Sequence, residues 1–67
     1  MIYPKDWKIR IAQSIVSINP KAEVTVDETT EEIKWVNGTT EISMSDIKAK
    51  QAELQTKVDN GQDVGDI

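Results

Sequence analysis

The chain has 67 residues and a formal net charge of −4, and it contains neither cysteine nor histidine. This length allows one domain with a thin core. The missing residue types exclude disulfides and an ordinary zinc site, and they remove the commonest general base. We therefore expect no enzyme activity, no metal site, no cofactor and no small-molecule substrate.

The charge is distributed unevenly along the chain. Residues 1–22 carry +3, residues 23–46 carry −6 and residues 47–67 carry −1. The acidic middle argues against a nucleic-acid partner, because affinity for phosphates requires positive charge. No apolar run is long enough for a signal peptide or a membrane span, so the sequence predicts a soluble protein with no membrane partner.

The first element is predicted to be a helix that starts near Pro4 and stops at Asn19-Pro20. Its apolar residues recur at helical spacing, at Trp7, Ile11, Ile15 and Ile18. A strand-like alternation competes at the start, because apolar residues there alternate with Lys8 and Arg10. The helical pattern explains more positions, and we therefore predict a helix.

This predicted helix has a second apolar side, formed by Ile9 and Val16 at 100° per residue. A helix that is apolar on two sides is usually buried on two sides. We predict that Ile9 and Val16 contact another chain, either a second copy or another protein, with Lys8 and Arg10 at the rim. The alternative is that both are ordinary exposed aliphatic residues.

Residues 22–42 predict a three-stranded antiparallel meander. Residues 22–26 alternate and are rich in β-branched side chains. Asn37-Gly38 is a strong hairpin signal, because both central positions of a type I′ turn need positive φ. The pairs that this turn predicts are Trp35 with Thr40, Lys34 with Glu41, and Ile33 with Ile42. The expected core positions of the meander are Val24, Val26, Ile33, Trp35 and Ile42.

The last element is predicted to be a helix from Ser43 to Val58. Ser43 is the expected N-cap, with Asp46 three residues later, and Ser45 is the competing cap. Its apolar stripe is predicted at Met44, Ile47, Gln51, Leu54 and Val58. The result is an α+β fold of helix, meander and helix, with both helices on one sheet face. We assign residues 1–58 to the domain and residues 59–67 to a flexible, glycine-rich tail.

Two further groups of residues have a functional and a structural interpretation. The acids Asp27, Glu28, Glu31 and Glu32 could hold a hard cation, but their spacing matches no known metal loop, and a solvated turn is favoured. The two tryptophans could form a stacking platform for a ligand. Both lie on apolar faces, and core positions are therefore favoured.

Three segments of the chain resemble a known group of proteins. They are residues 11–26 (IAQSIVSINPKAEVTV), 33–38 (IKWVNG) and 43–47 (SMSDI). Together they resemble small α+β proteins encoded near the tail-fibre genes of tailed bacteriophages and prophages, over about residues 11–54. Lys34 stands where an acid is usual in that group, and no proline precedes Ser43.

The resemblance implies a virion or tail-assembly role through protein–protein contacts, with no catalytic residues to carry over. The partners would be phage tail components or a second copy, and the location would be the virion or the host cytoplasm. The alternative is a phage-encoded inhibitor whose acidic middle mimics nucleic acid and binds a host protein.

Overall fold

The computed structural model describes residues 1–67 and has an α+β fold. The elements follow the order α1 (Ile11–Ile18), β1 (Val24–Asp27), β2 (Glu32–Trp35) and α2 (Met44–Asp59). The two strands form one antiparallel sheet, and the helices pack against it. This confirms the α+β class.

Residues 7–10 are not helical, and the predicted helical start near Pro4 is therefore wrong. Arg10 has φ −91° and ψ 159°, and α1 begins only at Ile11. Two glutamines of α2 bind this extended backbone: Gln55 Oε1 accepts from Ile9 N–H at 2.9 Å, and Gln51 Nε2 donates to the Ile9 carbonyl at 2.8 Å. These bonds occupy backbone groups that a helix would use internally, so the strand-like alternation prevails here.

The sheet pairs β1 with β2 around a short acidic loop. The register places Val24 opposite Trp35 and Asp27 opposite Glu32. In the loop, Asp27 Oδ1 accepts from Thr29 N–H at 3.0 Å, which forms an Asx turn. Glu31 closes the loop with a φ of 62°. Local backbone geometry thus explains part of this acidic segment.

The predicted third strand is absent, although its turn forms. Asn37 and Gly38 have φ of 53° and 74°, and Thr39 N–H donates to the Val36 carbonyl at 3.1 Å. However, Val36 N–H donates to Glu23 O at 3.0 Å, so this N–H points toward β1. A two-residue hairpin would need the same N–H to donate to the Thr39 carbonyl of a third strand. The two registers exclude each other, and Thr39 Oγ1 instead accepts from Glu23 N–H at the end of the sheet.

Helix α2 confirms its predicted cap. Ser43 Oγ accepts from Asp46 N–H at 3.2 Å. Ile47, Leu54 and Val58 of the predicted stripe are buried, whereas Met44 is 37% exposed. The local capping and periodicity signals therefore identified this helix correctly.

The core has two parts. The first joins the extended segment, the second half of α2 and the C-terminal segment, through Ile9, Leu54, Val58 and Val64, with Tyr3, Trp7 and Ile67 packed against it. The second joins Ile11, Ile15 and Ile47 to the half-buried Ala22, Val24, Val26, Ile33, Trp35 and Ile42. All five core positions expected in the meander region therefore pack against the second part.

The segment 59–67 packs against the domain, so the predicted boundary at residue 58 is misplaced. Gly61 has a φ of 68°, and Gln62 N–H donates to the Lys57 carbonyl at 2.8 Å. This reversal returns the chain toward the first part of the core, where Val64 is only 6% exposed. Glycine makes the reversal possible, and burial of the valine holds it.

Candidate protein-contact groove

An open groove of about 440 Å³ lies along the extended N-terminal segment. We call it the N-terminal groove. It is lined by Asp6, Trp7, Lys8, Ile9, Arg10 and Glu28. Two cations, two carboxylates and an indole thus face one concave surface, which suits a partner with both charged and apolar groups.

The backbone of the groove is held by side-chain amides. Gln55 Nε2 donates to the Trp7 carbonyl at 2.9 Å, in addition to the bond that its Oε1 accepts from Ile9. Gln13 Oε1 accepts from Arg10 N–H at 3.0 Å and from Trp7 Nε1 at 3.2 Å. The segment is therefore fixed from α1 and from α2, although it has no strand partner.

Two neighbouring side chains pack against the indole of Trp7. The Tyr3 ring stacks on it with ring centres 4.9 Å apart, and the Arg10 guanidinium carbon lies 5.5 Å from its centre. Tyr3 Oη accepts from Gln13 Nε2 at 3.1 Å and donates to the backbone oxygen of Ile67 at 2.5 Å. These contacts give the indole a structural role and support its interpretation as a core residue.

Glu28 lines the groove and also caps α1. Its carboxylate accepts from Ile11 N–H at 2.9 Å and from Ala12 N–H at 3.1 Å. The first N–H groups of a helix have no intrahelical acceptor, and negative charge is favourable there. Arg10 occupies the N-cap position, but its side chain makes no capping hydrogen bond. Glu28, from the β1–β2 loop, caps the helix instead.

The predicted contact residues are placed differently from expectation. Lys8 and Arg10 are exposed and line the groove. Ile9 is only 4% exposed and lies in the chain's own core, because residues 7–10 are extended and direct it inward. Its assignment to an intermolecular contact is wrong. Val16 is half-buried on α1, outside the groove lining, and its contact with a partner stays a prediction.

The acidic cluster is engaged within the fold. Asp27 forms the loop turn, Glu28 caps α1, and Glu31 pairs with Lys48 of α2. Glu32 is exposed on the sheet. The structure contains no group of three or more potential ligand residues that could hold a metal ion. The contacts of Asp27, Glu28 and Glu31 give three of the four acids a role within the fold.

Two carboxylates outside the groove have shifted acidity. A hydrogen bond from Lys50, together with its positive charge, lowers the pKa of Glu53. The terminal ammonium of Met1 and the N–H of Gly65 lower the pKa of Asp63 through hydrogen bonds. Both carboxylates are exposed, so these shifts describe surface ion pairs rather than a reactive centre.

The sequence did not predict that side chains of α1 and α2 hold the backbone of the groove through hydrogen bonds. Gln51 and Gln55 lie four residues apart on the inner side of α2, and polar groups at such positions indicate a backbone that needs partners. The spacing of Gln13, three residues after the N-cap, was a second signal. Glu28 gave no signal of this kind, because the two N–H groups that it caps lie 16 and 17 residues earlier in the sequence.

Comparisons with protein-family models, curated proteins and solved structures give no match for this chain. The structure has no helix that is both long and apolar enough to cross a membrane. Functional inference therefore rests on the residues themselves.

Proposed function

We propose that this protein is a small structural or tail-assembly protein of a tailed bacteriophage, which acts by binding another protein. The family resemblance of residues 11–54 supports the phage context. The N-terminal groove supports the mode of action, because it presents exposed charges on a backbone that is already fixed.

The observation that carries this proposal is the way Lys8 and Arg10 are held. Both side chains are exposed, while the intervening Ile9 anchors the segment in the core. Binding would therefore require little ordering of the backbone, which reduces the entropy lost on association. A tail protein with an acidic patch beside an apolar contact would complement this surface.

The first test is the composition of the particle. Mass spectrometry of purified virions from a phage that carries this gene is expected to detect peptides of the chain at a fixed ratio to tail proteins. Washed particles without these peptides, from lysates in which the chain is abundant, would contradict a role as a virion component. A tail-assembly role would then require the chain to co-purify with tail intermediates.

The second test locates the contact. Reversing charge in the groove with Lys8→Glu or Arg10→Glu is expected to reduce incorporation into particles or tail intermediates. Lys21→Glu is the matched control, because Lys21 is exposed outside the groove lining and the charge change is the same. Equal incorporation of all three variants would place the contact elsewhere on the protein.

The alternative function is an acidic inhibitor that mimics nucleic acid. Its support is the charge of −6 over residues 23–46. It ranks second because Asp27, Glu28 and Glu31 have partners within the fold, which explains them without an external ligand. An inhibitor would be absent from particles and would bind a basic host protein with affinity that falls as salt increases.

A further inference from the structure

The outer edge of β2 carries unpaired backbone groups. Val36 N–H bonds to Glu23 O across the β1–β2 ladder. The backbone N–H and C=O groups of successive residues in an antiparallel strand point to alternate sides. Those of Lys34 therefore also point toward β1, whereas those of Ile33 and Trp35 point away from it. We call the N–H and C=O groups of Ile33 and Trp35 the β2 edge.

No other part of the chain pairs with this edge. The backbone of α1 lies near β1, while no helix backbone lies beside β2. Residues 39–42 form no strand, and the hydrogen bonds of Thr39 are made to Val36 and Glu23. A free edge of this kind can receive another strand.

The outer face of the sheet indicates what that strand must carry. Glu32 lies directly opposite Asp27 on β1, and Lys34 lies opposite Thr25. Two acids facing each other across a ladder destabilise the pair. A cation on the open side of Glu32, and an anion beside Lys34, would balance the charges of this face.

We propose that the β2 edge binds the β2 edge of a second copy of this chain, in antiparallel orientation with Ile33 opposite Ile33 of the second copy. In that register, Glu32 of each copy lies opposite Lys34 of the other. Both cross-strand charge pairs are therefore attractive, and the Ile33 side chains meet on the apolar face. The two sheets become one four-stranded sheet with a two-fold axis.

Charge selects this register over its neighbour. If Ile33 of one copy paired with Trp35 of the other, the two Lys34 residues would lie opposite each other. Like charges that face each other in this way oppose pairing, whereas the proposed register has none. The interface lies on the sheet and does not involve the N-terminal groove, so it is independent of the proposed function.

Charge exchange tests the proposal in the intact chain. Sedimentation over a concentration series is expected to show a reversible dimer of the wild type. Glu32→Lys and Lys34→Glu are each expected to weaken self-association about tenfold, because two pairs per dimer become repulsive. Glu32→Lys also removes the repulsion from Asp27, so reduced association cannot be attributed to a less stable fold.

Mixing the two variants gives the decisive result. Each variant alone sets like charges across the interface, whereas the mixture sets opposite charges across it. The mixture is therefore expected to form a heterodimer about as readily as the wild type does its dimer. Glu41→Lys is the control, since Glu41 is exposed outside β2, and Arg10→Glu in the groove is likewise expected to leave self-association unchanged.

A wild type that stays monomeric at about 1 mM, or a mixture that associates no better than its components, would overturn the proposal.

Discussion

Removal of the Glu28 carboxylate tests how this fold stabilises its shortest helix. α1 has eight residues, and isolated helices shorter than about 12–15 residues are marginal in water. The Glu28 carboxylate accepts from two N–H groups of its first turn, Ile11 at 2.9 Å and Ala12 at 3.1 Å. In Glu28→Ala these two donors lose their acceptor within the protein, and the helix loses the negative charge at its N-terminus.

The expected loss follows from the two contributions. Loss of an N-cap acceptor costs about 1 kcal/mol, and loss of a charge at the helix N-terminus costs about 0.5 kcal/mol. Because Glu28 is exposed, water can replace part of both contributions. We therefore expect Glu28→Ala to lower the free energy of unfolding by about 1–1.5 kcal/mol. For a domain of this size, the melting temperature would fall by about 4–12 °C.

Urea and thermal unfolding followed by circular dichroism measure this loss. Glu28→Gln keeps one acceptor oxygen without the charge, and we expect about half of the effect. Glu41→Ala is the matched control, because Glu41 is exposed and its side chain makes no hydrogen bond to the protein. We expect it to change stability by less than about 0.5 kcal/mol. If Glu28→Ala and Glu41→Ala unfold alike, the capping interpretation is wrong.

Three further predictions concern the core, the glutamines and a surface carboxylate. Trp35→Ala is expected to lower the free energy of unfolding by about 3 kcal/mol, at the low end for a tryptophan because the side chain is half-buried. A variant with the melting temperature of the wild type would show that Trp35 is not a core residue. Gln55→Ala is expected to cost about 2 kcal/mol and to speed hydrogen exchange at the Ile9 amide, whereas Thr56→Ala should leave that amide unchanged. The pKa of Glu53 measured by NMR is expected to lie below the usual value for a glutamate, because Lys50 donates to its carboxylate, and Lys50→Gln should raise it; an unchanged pKa in that variant would contradict the pairing. The pKa of Glu53 is lower in the folded protein than in the unfolded one. Its contribution to stability is therefore fully present at a pH above the unfolded-state pKa, and it is lost as the pH falls through the folded-state pKa.

The parts of the fold that could be predicted are those with local causes. Ser43 and the periodicity after it specify α2 within one stretch of chain, and the φ demands of Asn37 and Gly38 specify their turn. The alternation around Val24 specifies β1 in the same way. Each signal lies within a few residues of the structure it predicts.

The third strand could not be judged from local signals. Its predicted cross-strand pairs were chemically sensible, with Lys34 opposite Glu41. The conflict arises only when the β1–β2 register is known, because that register turns Val36 toward Glu23. A strand that pairs on both sides must satisfy two registers at once, and a sequence pattern tests only one of them.

The candidate groove was predictable only in part. The alternation of Lys8 and Arg10 with apolar residues was visible, and it matches the burial of residues 7–10, although these residues join no sheet. Its cause is distant in sequence, because Gln51 and Gln55 of α2 hold this backbone. The wrong choice of helix also led to the wrong assignment of Ile9, since a helical and an extended residue direct their side chains differently.

These distant polar contacts connect stability to function. The groove backbone is extended but not part of a sheet, and amide side chains from α1 and α2 hold it in place of a neighbouring strand. The same segment anchors Ile9 in the core with Val64, so the C-terminal segment contributes to the rigidity of the groove. Loosening of α2 or of residues 59–67 should therefore weaken the proposed binding of a partner without any change to Lys8 or Arg10. The proposed contact surface therefore depends on the whole domain being folded.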